Sequence, residues 1–173
     1  SGTLAKTPSG TSFLYGTVVT LTATADTGSS FAGWSGDIVD ANSEVTLTID
    51  GDKVVSGTFT LNSYTLDVKE TGNGAGMLSN QPNSTSFLFG TVVTLTATPS
   101  TGSSFAGWSG ACSGSGGCVV TIDGDKSVTG AFTLNSYTLT VNKTGNGSGT
   151  LNSQPSGTSF LYGTVVTLTA TPD

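Results

Sequence analysis

The sequence predicts an all-β protein of tandem modules, each roughly 73 residues long by the repeat of its own segments, with about six short strands and little or no helix. Three observations carry that expectation: a long internal repeat, two-residue alternation of apolar and polar residues, and the absence of any helical period. TSFLYGTVVTLTAT at Thr11 returns as TSFLFGTVVTLTAT at Thr85 and as TSFLYGTVVTLTAT at Thr158. FAGWSG recurs at Phe31 and Phe105, TIDGDK at Thr48 and Thr121, and TLNSYTL at Thr60 and Thr133. A unit this long exceeds the usual solenoid repeat of roughly 20–50 residues and has the size of a small domain with its own modest core.

The phase of the repeat divides the chain into residues 1–61, a partial repeat lacking its first strand; 62–134, a complete repeat; and 135–173, a partial repeat cut after its third strand. With its opening SGTLAKT and no leader, the chain reads as a window onto a longer array, the alternative being partial repeats ordered by a neighbouring molecule. Thr11–Gly36 and Thr85–Gly110 differ only at Tyr15/Phe89, Ala25/Pro99 and Asp26/Ser100. The single-residue length difference falls after the tryptophan, where DIVDANSEVTL stands opposite ACSGSGGCVV. An indel there marks a loop.

Each element has a local reason. Tyr64–Val68 and Tyr137–Val141 alternate in polarity, as strands with one buried face do. In Thr91–Thr98, Val93, Leu95 and Ala97 share one face and Thr94, Thr96 and Thr98 the other. Val45–Ile49 and Val128–Leu134 behave alike, and β-branched Thr suits a pleated, half-buried surface. Asn73-Gly74 and Asn146-Gly147 signal tight turns, since both residue types tolerate positive φ. Asp50-Gly51-Asp52 and Asp123-Gly124-Asp125 read as a second hairpin turn.

Composition narrows the function classes. Of 173 residues, 35% are hydrophobic and 9% charged, with net charge −6, five Lys, no Arg and no His. Five scattered lysines do not build a phosphate-binding surface, so nucleic acid is a poor partner. No apolar run approaches the ~18 residues of a membrane helix, so no membrane insertion is expected in this segment. Without His the usual general base is missing, and a small β module offers little room for a cleft; we expect no enzyme and no cofactor.

The order YTLTVNKTGNGSGTL, a Pro-Ser-Gly turn, GTVVTLTATP, SSFAGWSG, a variable loop and TIDGDKSVTGAFTL resembles the divergent InlB B-repeat family. The resemblance covers the central repeat end to end and both partial repeats as far as they go. It implies tandem modules on long exported bacterial proteins, a compact β-grasp-like or sandwich-like fold, and no catalytic residue.

Cys112 and Cys118 flank SGSGG in the variable loop. Cys118 stands one repeat after Val45 and so begins an inward series, placing one sulfur near the core edge. A disulfide closing this loop is expected, worth about 2–2.5 kcal/mol by chain entropy and suited to an oxidising location outside the cytoplasm. The other copy carries Asp37, Asp40 and Glu44 instead. These, with Asp50, Asp52, Asp123 and Asp125, are weak Ca²⁺ candidates, weighed against ordinary acidic turns balanced by Lys53 and Lys126. Trp34, Trp108, Tyr15, Phe89 and Tyr162 are candidate sugar-stacking residues, weighed against the plainer reading that each repeat needs one large core residue. Regular Thr rows also evoke an ice-binding face, which short twisted strands do not support. Asn83, Asn142 and Asn146 head N-glycosylation patterns of a kind expected by chance in so Asn-, Ser- and Thr-rich a chain.

These features predict a structural segment of an extracellular bacterial surface protein, forming a stalk, fibre or filament, adhesive in some settings. Its partners are neighbouring repeats of the same chain or identical chains. The runner-up is a module binding surface polysaccharide or a host surface through the variable loops 37–47 and 111–117.

Overall fold

A computed structural model describes residues 1–173. It holds sixteen strands and no helix. The first repeat contributes β1 (Gly2–Thr7), β2 (Val18–Ala25), β3 (Ser29–Gly36), β4 (Glu44–Thr48) and β5 (Val55–Leu61). The central repeat contributes β6 (Ser63–Gly72), β7 (Gly76–Gln81), β8 (Ser86–Leu88), β9 (Val92–Pro99), β10 (Ser103–Gly110), β11 (Cys118–Thr121) and β12 (Lys126–Leu134). The third has β13 (Ser136–Thr138), β14 (Gly149–Gln154), β15 (Ser159–Leu161) and β16 (Thr167–Pro172). The central repeat thus has seven strands where about six were expected, the addition being the short β8. The third repeat reaches a fourth strand rather than stopping after its third.

Sheet membership alternates along the central repeat. One sheet has the order β10-β12-β6-β8 and the other β11-β9-β7. Antiparallel pairs therefore join strands two apart in sequence: β6 with β8, β7 with β9, β10 with β12. This corrects the hairpin reading of the turns. Asn73-Gly74 carries the chain from β6 in one sheet to β7 in the other, and Asp123-Gly124-Asp125 does the same between β11 and β12. Nor does any Asn adopt positive φ; in the Thr-Gly-Asn-Gly bends it is Gly72 and Gly145 that do, at +102° each. Asn73 instead accepts the Leu134 N–H through its side chain. An Asn-Gly pair specifies a bend, but the two-residue hairpin needs flanking strands that pair, and these flanking strands belong to different sheets.

The core follows from one irregularity. In strict alternation Phe31 and Trp34 would point to opposite faces, an odd number of positions apart. The register of β3 against β5 shifts between Phe31 and Gly33, a bulge repeated at Phe105/Gly107. The glycines there hold φ of +136° and +142°, which an L side chain rarely tolerates. Both aromatic rings consequently face inward, edge to face at 5.1 Å in the first repeat and 4.9 Å in the second.

By spatial packing the chain forms two compact units, residues 1–66 with 85–92 and 121–125, and residues 67–84 with 93–120 and 126–173. In the first unit, β1-β2-β4 and β3-β5 enclose Ala23, Trp34 and Val45, with Leu21, Phe31, Ile38, Val55 and Phe59 packed against them. This is a sandwich of two all-β layers. The second unit buries Val93, Leu95, Trp108, Val128 and Phe132. There a Cβ on Gly130 would meet Leu78 and Trp108, and one on Gly76 would meet the Phe132 ring. Thr94, Thr96 and Thr98 lie on the face opposite Val93 and Leu95 and are exposed, as the alternation predicts.

Candidate functional site: the joint between repeats

Strand β5 ends at Leu61 and β6 begins at Ser63, so one residue, Asn62, separates them. Asn135 likewise stands alone between β12 and β13. A single residue leaves few free dihedrals, and here its polar groups are also engaged. The Asn62 N–H donates to the Gly28 carbonyl at 2.8 Å, while the Asn62 carbonyl accepts the Phe89 N–H at 2.9 Å. The Ser30 hydroxyl donates to Asn62 Oδ1 at 2.6 Å. The second joint repeats the pattern: Asn135 N–H to the Gly102 carbonyl at 2.8 Å, Tyr162 N–H to the Asn135 carbonyl at 2.8 Å, and Ser104 Oγ to Asn135 Oδ1 at 2.5 Å.

An aromatic ring closes each joint. Phe89, from the SFLFG stretch of the central repeat, lies against Gly28 of the first, and a Cβ added at Gly28 would collide with the Phe89 ring. Tyr162 covers Gly102 in the same way. Both glycines have positive φ, +76° and +77°, so absence of a side chain serves the turn and the ring together. Tyr64 adds a tilted ring contact to Phe89 at 6.4 Å. In Thr27-Gly28-Ser29-Ser30 and Leu61-Asn62-Ser63 the sequence thus encodes a socket and a link. Neither was singled out as a site from sequence, although both recur unchanged beside variable residues such as Asp26/Ser100.

The sequence-derived candidates fall into separate places. Trp34 and Trp108 are each 5% exposed, so their rings are core, not stacking platforms. Phe89 and Tyr162 are joint residues; Tyr15, their counterpart, is 86% exposed. Asp37 Oδ2 accepts the Val54 N–H at 2.6 Å and Asp40 Oδ1 the Asn42 N–H at 2.7 Å. Asp50 pairs with Lys53 at 2.6 Å, and that hydrogen bond holds its carboxyl below the ordinary range. Asp125 accepts the Thr65 N–H at 2.8 Å and hydroxyl at 2.9 Å, which lower its pKa likewise. Glu44, Asp52 and Asp123 lie on exposed positions. No three acidic or cysteine side chains gather around a common point.

Cys112 and Cys118 form a disulfide with Cα atoms 5.8 Å apart, and Cys118 is buried while Cys112 lies nearer the surface. The variable loop has one structural task in both copies. Trp34 donates its backbone N–H to the Asp40 carbonyl at 2.7 Å and its indole N–H to the Asn42 carbonyl at 2.9 Å. Trp108 makes the same pair to Gly114 and Gly116 at 2.7 and 3.1 Å. A buried indole N–H needs such a partner. Carboxylates on backbone amides hold this loop in the first repeat, and a disulfide holds it in the second.

A family model of the divergent InlB B-repeat domain matches residues 1–63, 64–136 and 137–173, the whole chain. The chain belongs to the divergent InlB B-repeat family, repeat modules of bacterial surface proteins. No curated protein and no solved structure matches it.

Proposed function

We propose that this chain is a structural spacer of an extracellular bacterial surface protein, a stalk or fibre segment in which each repeat is locked to the next, and that it acts without enzymatic chemistry or cofactor. The observation that carries this reading is the joint: a one-residue link, bonded on both sides and closed by an aromatic ring seated on glycine, built twice from different parts of the chain. A flexible tether would be Gly/Ser-rich and several residues long. Further support comes from the sparse charge, from carboxylates engaged by backbone amides or lysine, and from a disulfide that suits an oxidising milieu. Neighbouring repeats are the partners this reading assigns.

The source bacterium provides the test. An antibody raised against the chain should label intact cells, and the native protein should run far above 17.2 kDa on a reducing denaturing gel. Labelling only after lysis would sink the reading. Polysaccharide or host-surface binding through loops 37–47 and 111–117 is the second reading, favoured by loops that differ in sequence while holding the same tryptophan. Exchanging the two loops should then change glycan or cell binding.

A further inference from the structure

Asn73 and Gly74, between β6 and β7 of the central repeat, are clasped to the end of β12. The Gly74 N–H donates to the Phe132 carbonyl at 3.1 Å, and Asn73 Oδ1 accepts the Leu134 N–H at 3.1 Å. A Cβ on Gly74 would collide with the Thr133 backbone, so bend and strand touch main chain to main chain and only glycine fits. Asn73 itself is exposed to water.

An asparagine followed by glycine can modify itself. The glycine nitrogen is the nucleophile nearest the Asn amide carbon, and no glycine side chain hinders its approach. The Gly74 nitrogen gives its proton to a solvent base and bonds to Asn73 Cγ. The Cγ–Nδ2 bond then breaks and ammonia leaves with one proton from water. Water opens the resulting succinimide at either carbonyl, giving aspartate or isoaspartate at position 73. Water is the sole co-reactant.

The clasp acts on the two reacting atoms in opposite senses. The Leu134 N–H on Oδ1 polarises Cγ towards attack, as a donor on any carbonyl oxygen does. The Phe132 carbonyl holds the proton on the Gly74 nitrogen, and packing on Thr133 resists the swing of the peptide that ring closure needs. Without a free nucleophile the polarised carbon has nothing to react with, so the seated bend is inert.

We propose that Asn73 is a guarded self-modification site, converted to aspartate or isoaspartate only when the end of β12 lifts away. The two products differ in consequence. Aspartate keeps a side-chain oxygen for the Leu134 N–H. Isoaspartate routes the main chain through an extra methylene, where Phe132 and Thr133 leave no space, so the bend does not seat again. Leu134 directly precedes Asn135, and the isoaspartyl form therefore loosens the strand that leads into the second joint. The change is one-way, and holds whether or not the chain serves as a spacer.

The test incubates the intact chain at mildly alkaline pH, folded and in guanidinium chloride, and locates conversion by fragmentation mass spectrometry. Conversion at Asn73 should be at least roughly tenfold slower in the folded chain, because local opening must come first. Equal rates overturn the proposal. Gly72→Ala, whose Cβ would run into the Phe132 carbonyl oxygen, should lift the bend while tryptophan emission reports an intact core. In it the Gly74 amide should exchange faster and Asn73 should convert several-fold faster than in wild type. Faster exchange without faster conversion also overturns the proposal. Finally, chain converted while unfolded and then refolded should show faster exchange at the Leu134 amide in its isoaspartyl form than in its aspartyl form. Equal exchange in the two forms would contradict the loss of the clasp.

Discussion

Gly28 and Gly102 are the residues on which the joint depends. Gly28→Ala meets a φ of +76° and an aromatic ring where the new Cβ would stand; the backbone strain alone is about 1 kcal/mol. The expected outcome is displacement of Phe89, read as faster hydrogen exchange at the Phe89 amide, with the core around Trp34 unchanged in fluorescence. Phe89→Ala should produce the same local opening without backbone strain and cost about 1–2 kcal/mol, less than a fully buried Phe because the ring is only half-covered. Asp125 gives a pH signature. Its pKa is lowered by the Thr65 N–H first and the Thr65 hydroxyl second. The stability it lends is present above the unfolded carboxyl value of about 3.9 and is lost as pH falls through the folded value. Asp125→Asn should therefore lower Tm at neutral pH, and the gap from wild type should close on acidification below that range.

Among the elements, the variable loop and the short strands show how far sequence alone reaches. The loop is expected to unlock when its staple is removed: Cys112→Ser with Cys118→Ser should cost about 2–2.5 kcal/mol by calorimetry under oxidising conditions. The loss should be confined to the central repeat, and reductant should act on wild type alone. The Thr/Val alternation placed β9 with its buried face correctly because a half-buried strand follows a two-residue period. Asn73-Gly74 misled because a bend names its own geometry and not the sheet its flanks join. The Tyr137–Val141 pattern promised a longer strand than β13, which stops at Thr138. The related β6 runs to Gly72 with neighbours on both sides, β12 and β8, whereas β13 pairs with β15 alone. Strand length here is set by partners, which a local reading does not contain. The bulge that turns Phe31 and Trp34 to one face is hidden for the same reason.

For the whole chain, the repeat period and the family were legible because near-identical copies state them outright. The joint's chemistry was not, since Gly28 and Phe89 lie in different repeats, far apart in sequence, and neither residue type announces a contact. The central claim is that successive repeats are locked through Asn62 and Asn135. The most direct measurement is backbone residual dipolar couplings on the aligned 173-residue chain. Locked repeats require couplings from residues 1–61 and 62–134 to fit one alignment tensor of one magnitude, and Phe89→Ala to separate them. Separate tensors in the wild-type chain, with reduced magnitude in one repeat, would mean that Asn62 is a hinge and would contradict the account.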